Sequence, residues 1–170
     1  SRGNVVNEND LLDAIKNKII SYTVLDVWQN EPDINIKTLK YITIATPHIA
    51  GHSLDGKALG TEMILDKFCS YFNFEKKNNV LKLLPESDIV EQEVNEVTNF
   101  FEILHNIVIK IYDINRDDSN FRKIISQGNI KEYFNYLRNN YWGRREFYNT
   151  SIKTTNLELK HKFEQIGFNI

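Results

Sequence analysis

Cysteine is nearly absent from this sequence. Cys69 stands alone among 170 residues, so no internal disulfide can form. Its place in an apolar helical pattern reads as a small buried hydrophobe in a reducing, cytoplasmic setting. No apolar run approaches the roughly 20 residues that a membrane-spanning helix needs, and no segment has the make-up of a signal peptide. An excess of either charge is missing too. With 21 Lys and Arg against 23 Asp and Glu, the formal net charge of -2 speaks against nucleic acid as a partner and leaves small charged ligands open. There is no internal repeat, no low-complexity segment and no G-x-G-x-x-G turn of the kind that cradles a dinucleotide pyrophosphate. What is present is ordinary globular material, 41% hydrophobic, enough for one domain or two small ones. The chain opens on Ser1-Arg2-Gly3 without Met, and it is expected to be a C-terminal fragment of something longer.

Asn7 to Asp10 supply capping residues and early acids ahead of Leu11, Leu12, Ile15, Ile19 and Ile20, which predicts a helix of about three turns. Tyr22 to Trp28 is β-branched and aromatic without clean alternation, as in a strand buried on both faces, and Tyr41 to Ile44 reads as a second short strand. Helix-strand-helix-strand order implies a parallel sheet, whose ligands sit beyond the carboxyl ends of the strands. Helical spacing resumes from Leu54 to Phe72 behind Ser53 as N-cap, with Asp55 in the first turn. The polar run Glu75 to Asn79 reads as a linker. Beyond it a helix through Phe100 to Val108, a charged turn Arg116-Asp117-Asp118, helical spacing at 121–125 and 130–141, a strand-like 147–155 and a final helix up to Gly167 suggest an α+β module.

Asp26, Glu31 and His48 all fall at or after strand ends, where an α/β protein keeps its chemistry. Glu31 and His48 form a candidate carboxylate-imidazole pair, in which the acid orients the ring and favours its protonated form. A solitary histidine is more often incidental, and spacing alone leaves both readings open. Arg2 beside Gly3 is a candidate carboxylate or phosphate receptor, with a plain surface role as the alternative. His48 and His52 stand four apart, but Ala50-Gly51 between them argues against a helical metal pair, and no metal is expected.

In combination these signals say more. Ser1-Arg2-Gly3, then Leu25-Asp26-Val27-Trp28 with Glu31 five residues after the Asp, then Thr46-Pro47-His48-Ile49-Ala50-Gly51, closely resembles the D-isomer-specific 2-hydroxyacid dehydrogenases. Gly51-His52-Ser53-Leu54-Asp55-Gly56-Lys57-Ala58 with Gly60-Thr61 resembles members that act on a small phosphorylated 2-hydroxy acid. Tyr112 to Asp118, Tyr136-Leu137-Arg138 and Arg144 to Phe147 resemble the dimerisation domain of those members. The resemblance implies an α/β fold: the C-terminal part of a Rossmann-type parallel-sheet nucleotide-binding domain over 1–52, a returning helix and linker over 53–79, and a small α+β dimerisation domain over 80–170. It implies NAD as cofactor, contacted by Asp26 and Gly51, and a homodimer formed through the C-terminal domain. It assigns Arg2 to the substrate carboxylate, Glu31 and His48 to the acid-histidine pair, and His52 to a position that usually carries a substrate-touching tyrosine. A family member acting on another substrate such as 3-phosphoglycerate, or a non-catalytic dimerisation remnant, are the competing expectations.

Overall fold

The structure, a computed structural model, describes residues 2–94 and 99–170. Two compact units result. Unit 1 comprises 1–50 and 114–142, and unit 2 comprises 51–113 and 143–170.

In unit 1, α1 (Glu8–Lys16) starts where the Asn7 side chain accepts from the amides of Asn9 and Asp10. It is shorter than the apolar spacing predicts. Lys18 takes a left-handed φ of 58°, ending the helical path, and Ile19 is exposed. Strand β1 (Val24–Leu25) pairs in parallel with β2 (Ile44–Ala45), Val24 opposite Ile44 and Leu25 opposite Ala45. The parallel sheet is as expected, but the strands are two residues each and Val24 is 65% exposed rather than buried. Among the described residues β1 has β2 as its strand neighbour, so its other edge and one face lack cover. Between the strands lies the single turn α2 (Ile36–Leu39), capped by Asn35. The core gathers Trp28, Ile34, Leu39, Ile42 and Ala45 with Phe121, Ile124 and Phe134 from later in the chain. Trp28 and Phe121 lie 5.4 Å apart, and Phe121 meets Phe134 edge-on at 5.7 Å.

Those later residues come from α5 (Ile114–Arg122) and α6 (Ile130–Asn139). Arg116-Asp117-Asp118 is therefore helix and not a turn. Asp118 sits in α5 because it caps a strand from the side: its Oδ1 accepts the Ala45 amide at 2.7 Å, while its Oδ2 accepts from Arg122 Nε at 2.8 Å. Arg122 in turn donates to the carbonyls of Leu39, Ile42 and Thr43. The expected module over 80–170 thus contributes 114–142 to unit 1, because these helices complete the core around Trp28.

In unit 2, α3 (Leu54–Phe72) starts at Ser53, whose Oγ accepts the Gly56 amide at 3.0 Å as expected of an N-cap. Met63, Ile64, Tyr71 and Phe72 are exposed on it, and Cys69 is half-buried rather than part of a core. The expected linker is pinned: Lys76 pairs with Glu62 and Asp66 of α3, and the Val80 amide donates to Glu62 at 2.8 Å. A short strand β3 (Glu91–Glu93), absent from the sequence expectation, pairs in parallel with β4 (Ser151–Lys153). Helices α4 (Phe100–Ile111) and α7 (Leu157–Ile166) pack over them around Ile107, Ile152, Leu159, Phe163 and Phe168, and Gly167 closes α7 at a φ of 99° that favours glycine. No helix among the described residues is long and apolar enough to cross a membrane.

Candidate active site

The two parallel strands deliver two loops to one place. The first leaves β1 at Asp26 and runs through Trp28 to Glu31. The second leaves β2 at Thr46 and passes Pro47 into His48. Trp28 joins them, its indole Nε1 donating to the Thr46 carbonyl at 2.9 Å while its ring is buried in the core.

Asp26 organises the second loop. Its Oδ1 accepts from the Thr46 hydroxyl at 2.6 Å and the Ile49 amide at 2.8 Å, and its Oδ2 accepts the Ala50 amide at 3.1 Å. One carboxylate thereby accepts from two backbone N–H groups and a hydroxyl of the same turn. Held on both sides, His48 adopts a left-handed φ of 55°, uncommon for a residue with a Cβ. Arg138 on α6, its guanidinium 5.9 Å from the centre of the Phe134 ring, donates from Nε to the His48 carbonyl at 3.3 Å.

The consequence is the meeting of His48 and Glu31. His48 Nδ1 lies 2.5 Å from Glu31 Oε1, and both side chains are about four-fifths buried. Glu31 is itself fixed, since its Oε2 accepts the Trp28 amide at 3.2 Å. An imidazole bound to a carboxylate through Nδ1 presents Nε2 as its second nitrogen, the arrangement of a general base or acid whose tautomer is set by its partner.

The other candidates are placed as follows. Arg2 is exposed in unit 1, directly before a 3-10 turn at Gly3–Val5. A Cβ on Gly3 would run into the Trp28 carbonyl, so a side chain there is excluded by close backbone approach and not by a turn alone. Gly51 and His52 fall in unit 2, where Gly51 is exposed, a Cβ on it would meet nothing within 4 Å, and His52 is half-buried ahead of Ser53. Arg2, Asp26, Glu31 and His48 therefore share one unit. The supporting roles of Trp28, Thr46 and Arg138 were not foreseen. All three lie within the motifs named above, but Arg138 stands 90 residues from His48, a separation over which the sequence carries no local signal of this contact.

A second fixed cluster centres on Asp55, 2% exposed. Arg145 grips it with Nε and one terminal nitrogen, each at 3.0 Å, and the Glu146 amide, Tyr148 hydroxyl and Asn149 amide complete the set. Burial works to raise its pKa, but these donors prevail and hold it at about 2. Tyr148, by burial and by its bond to this carboxylate, is pushed up to about 12. No group of three or more candidate metal ligands occurs among the described residues.

Residues 1–50 match the model for the D-isomer specific 2-hydroxyacid dehydrogenase, NAD binding domain, and residues 83–167 match a domain of unknown function, DUF3410. The chain is similar along 99% of its length to erythronate-4-phosphate dehydrogenases. Identity is 36% over 168 residues with that of Pseudoalteromonas atlantica, 36% over 169 with that of Photorhabdus laumondii and 38% over 175 with that of Colwellia psychrerythraea. It covers 44%, 44% and 42% of these three proteins, so it spans less than half the length of the curated relatives it matches.

Proposed function

Because the chain belongs to the D-isomer-specific 2-hydroxyacid dehydrogenase family, as the counterpart of the C-terminal portion of its erythronate-4-phosphate members, we propose that it forms part of an NAD-dependent enzyme oxidising 4-phospho-D-erythronate to 3-hydroxy-2-oxo-4-phosphooxybutanoate, a step of pyridoxal 5'-phosphate synthesis. The observation that carries this reading is the His48–Glu31 pair at the carboxyl ends of two parallel strands. In it, His48 takes the proton of the 2-hydroxyl on Nε2, and Glu31 stabilises the imidazolium that results. Arg2 holds the substrate carboxylate by a charge-assisted fork and balances charge growing on the reacting oxygen. His52 is read as a second substrate contact.

NAD, when bound, supplies the acceptor for the hydride leaving the carbon that bears the 2-hydroxyl. The chain's residues fit the nicotinamide end of such a cofactor. Asp26 makes three hydrogen bonds with two oxygens, leaving acceptor capacity for a carboxamide. The pyrophosphate needs a Gly-rich turn that these 170 residues do not contain, in keeping with the reading of the chain as a C-terminal part. The same reading includes a homodimer and a cytoplasmic setting.

The genomic sequence ahead of Ser1 provides the first test, an in-frame G-x-G-x-x-G being the expected result and a stop codon there the result that supports a non-catalytic remnant. In the protein encoded by that frame, NADH formation from 4-phosphoerythronate is expected to exceed that from 3-phosphoglycerate. His48→Asn is expected to lower kcat/KM by on the order of 10² to 10⁴-fold. Near-normal turnover in that variant overturns the role of His48, and preference for 3-phosphoglycerate overturns the substrate.

A further inference from the structure

Unit 1 contains a second concave site, a cleft of about 360 Å³ whose walls come from α5, α6 and the segment that follows α6, closed at one end by Pro47 and Ile49. It owes its shape to the core beneath it. Phe121 and Phe134 lock α5 and α6 together, and on the outer side this leaves Tyr133, Tyr136 and Trp142 along one wall. Tyr133 and Tyr136 lie with their ring centres 6.2 Å apart and their planes only 21° from parallel. Tyr136 and Trp142 stay 58% and 39% exposed, so the fold presents aromatic surface here without burying it.

Beside it runs a stripe of donors along α5 and the turn that follows it. Arg116, Asn120 and the following Lys123 recur at spacings of four and three, which stacks them along the helix. Lys123 reaches back along that stripe and donates to the Asn120 side-chain carbonyl at 2.7 Å, which brings its ammonium a turn closer to Arg116. The Arg116 guanidinium rests on Trp142 with its carbon 4.2 Å from the ring centre. The acid in the cleft, Asp117, is 6% exposed, accepts the Tyr141 hydroxyl at 2.8 Å and lies 3.8 Å from Arg116 Nε. One buried carboxylate thus stands against two cations at the mouth, and the surface balance is positive.

An aromatic wall adjoining a cationic stripe, around a space the size of a small organic molecule, selects a ligand with a flat ring at one end and an anion at the other. We propose that this cleft binds an aromatic or heteroaromatic phosphate, its ring against Tyr136 and Trp142 and its phosphate on Arg116 and Lys123. The phosphate class follows from two cations and the Asn120 amide sharing that stripe, which suits a group with three terminal oxygens. The assignment does not depend on the dehydrogenase reading, because the residues that make the cleft are other than the His48–Glu31 pair. Pro47 and Ile49, the neighbours of His48, close the cleft, so a bound ligand touches the segment that carries that histidine.

The test uses the 170-residue chain itself with phenyl phosphate as the probe. Trp28 is buried and Trp142 lines the cleft, so a saturable change in tryptophan fluorescence is expected, and it is expected to vanish in Trp142→Phe. Phosphorus NMR line broadening of the probe reads binding without a tryptophan. Lys123→Gln removes an exposed side chain and is expected to weaken binding by about tenfold, with unchanged circular dichroism. Inorganic phosphate and phenol, each carrying half of the chemistry, are expected to compete at least about tenfold less well than the whole probe. No saturable binding by either method overturns the site. Equal affinity for inorganic phosphate and phenyl phosphate overturns the aromatic class, and equal affinity in Lys123→Gln overturns the assigned cation.

Discussion

Single carboxylates decide much of this protein, and each does so by accepting several donors at once. Asp55 is the clearest case. Its pKa of about 2 lies below the ordinary aspartate value of 3.8, so the unfolded chain binds its proton more readily than the folded one. The stability it contributes, roughly 2 kcal/mol, is therefore complete above about pH 4 and is lost as pH falls toward 2. Asp55→Asn is expected to destabilise the chain by about that amount or more at neutral pH, since the mostly buried Arg145 guanidinium loses its ion-pair partner. Denaturant unfolding of both proteins from pH 7 down to pH 2 checks this, and the gap between them should narrow on the acid side. Glu31 works on the same principle toward chemistry. In the protein carrying the proposed activity, Glu31→Gln keeps the shape but removes the charge facing His48, and kcat should fall by about 10 to 100-fold with a smaller change in KM. Steady-state kinetics of that variant measures the split.

At the level of elements, α5 gives the short strand β2 a partner that the small sheet does not. The Ala45 amide is fully buried and finds its acceptor in Asp118, 73 residues away. Asp118→Ala leaves that donor without an acceptor and removes the carboxylate partner of Arg122, at an expected cost of about 1 to 3 kcal/mol. Hydrogen exchange at Ala45 should quicken more than at Leu159, which belongs to the core of unit 2. Loss of Phe134, which has no exposed surface, should cost about 3 to 5 kcal/mol in the same unfolding experiment. The caps that begin α1, α3 and α7, at Asn7, Ser53 and Asn156, show the opposite regime, in which a helix start depends on its own first turn.

For the molecule as a whole, the two cores form from interleaved parts of the chain, 114–142 joining the first fifty residues. The proposed homodimer accordingly rests on exposed apolar residues, several of them outside the C-terminal domain to which the resemblance assigns it. Phe134 is consumed inside unit 1 and Phe100 packs on Phe163, whereas Phe101 and the α3 residues Met63, Ile64, Tyr71 and Phe72 remain exposed. Sedimentation at tens of micromolar, roughly the scale of a modest interface, is expected to give twice the 20.0 kDa chain mass, and a monomer under those conditions counts against self-association. The sequence by itself determined what depends on near neighbours and on side-chain chemistry: the helix starts at Asn7 and Ser53, two apolar strands in parallel, and an acid and a histidine beyond their ends. It also carried the motifs of the family. Only the tertiary structure decided that Arg116-Asp117-Asp118 is helical, that Asp26 fixes the His48 loop, and that α5 and α6 close the core around Trp28. Those outcomes turn on hydrogen bonds and packing between residues some 20 to 90 positions apart, whose energy no local window of the chain contains.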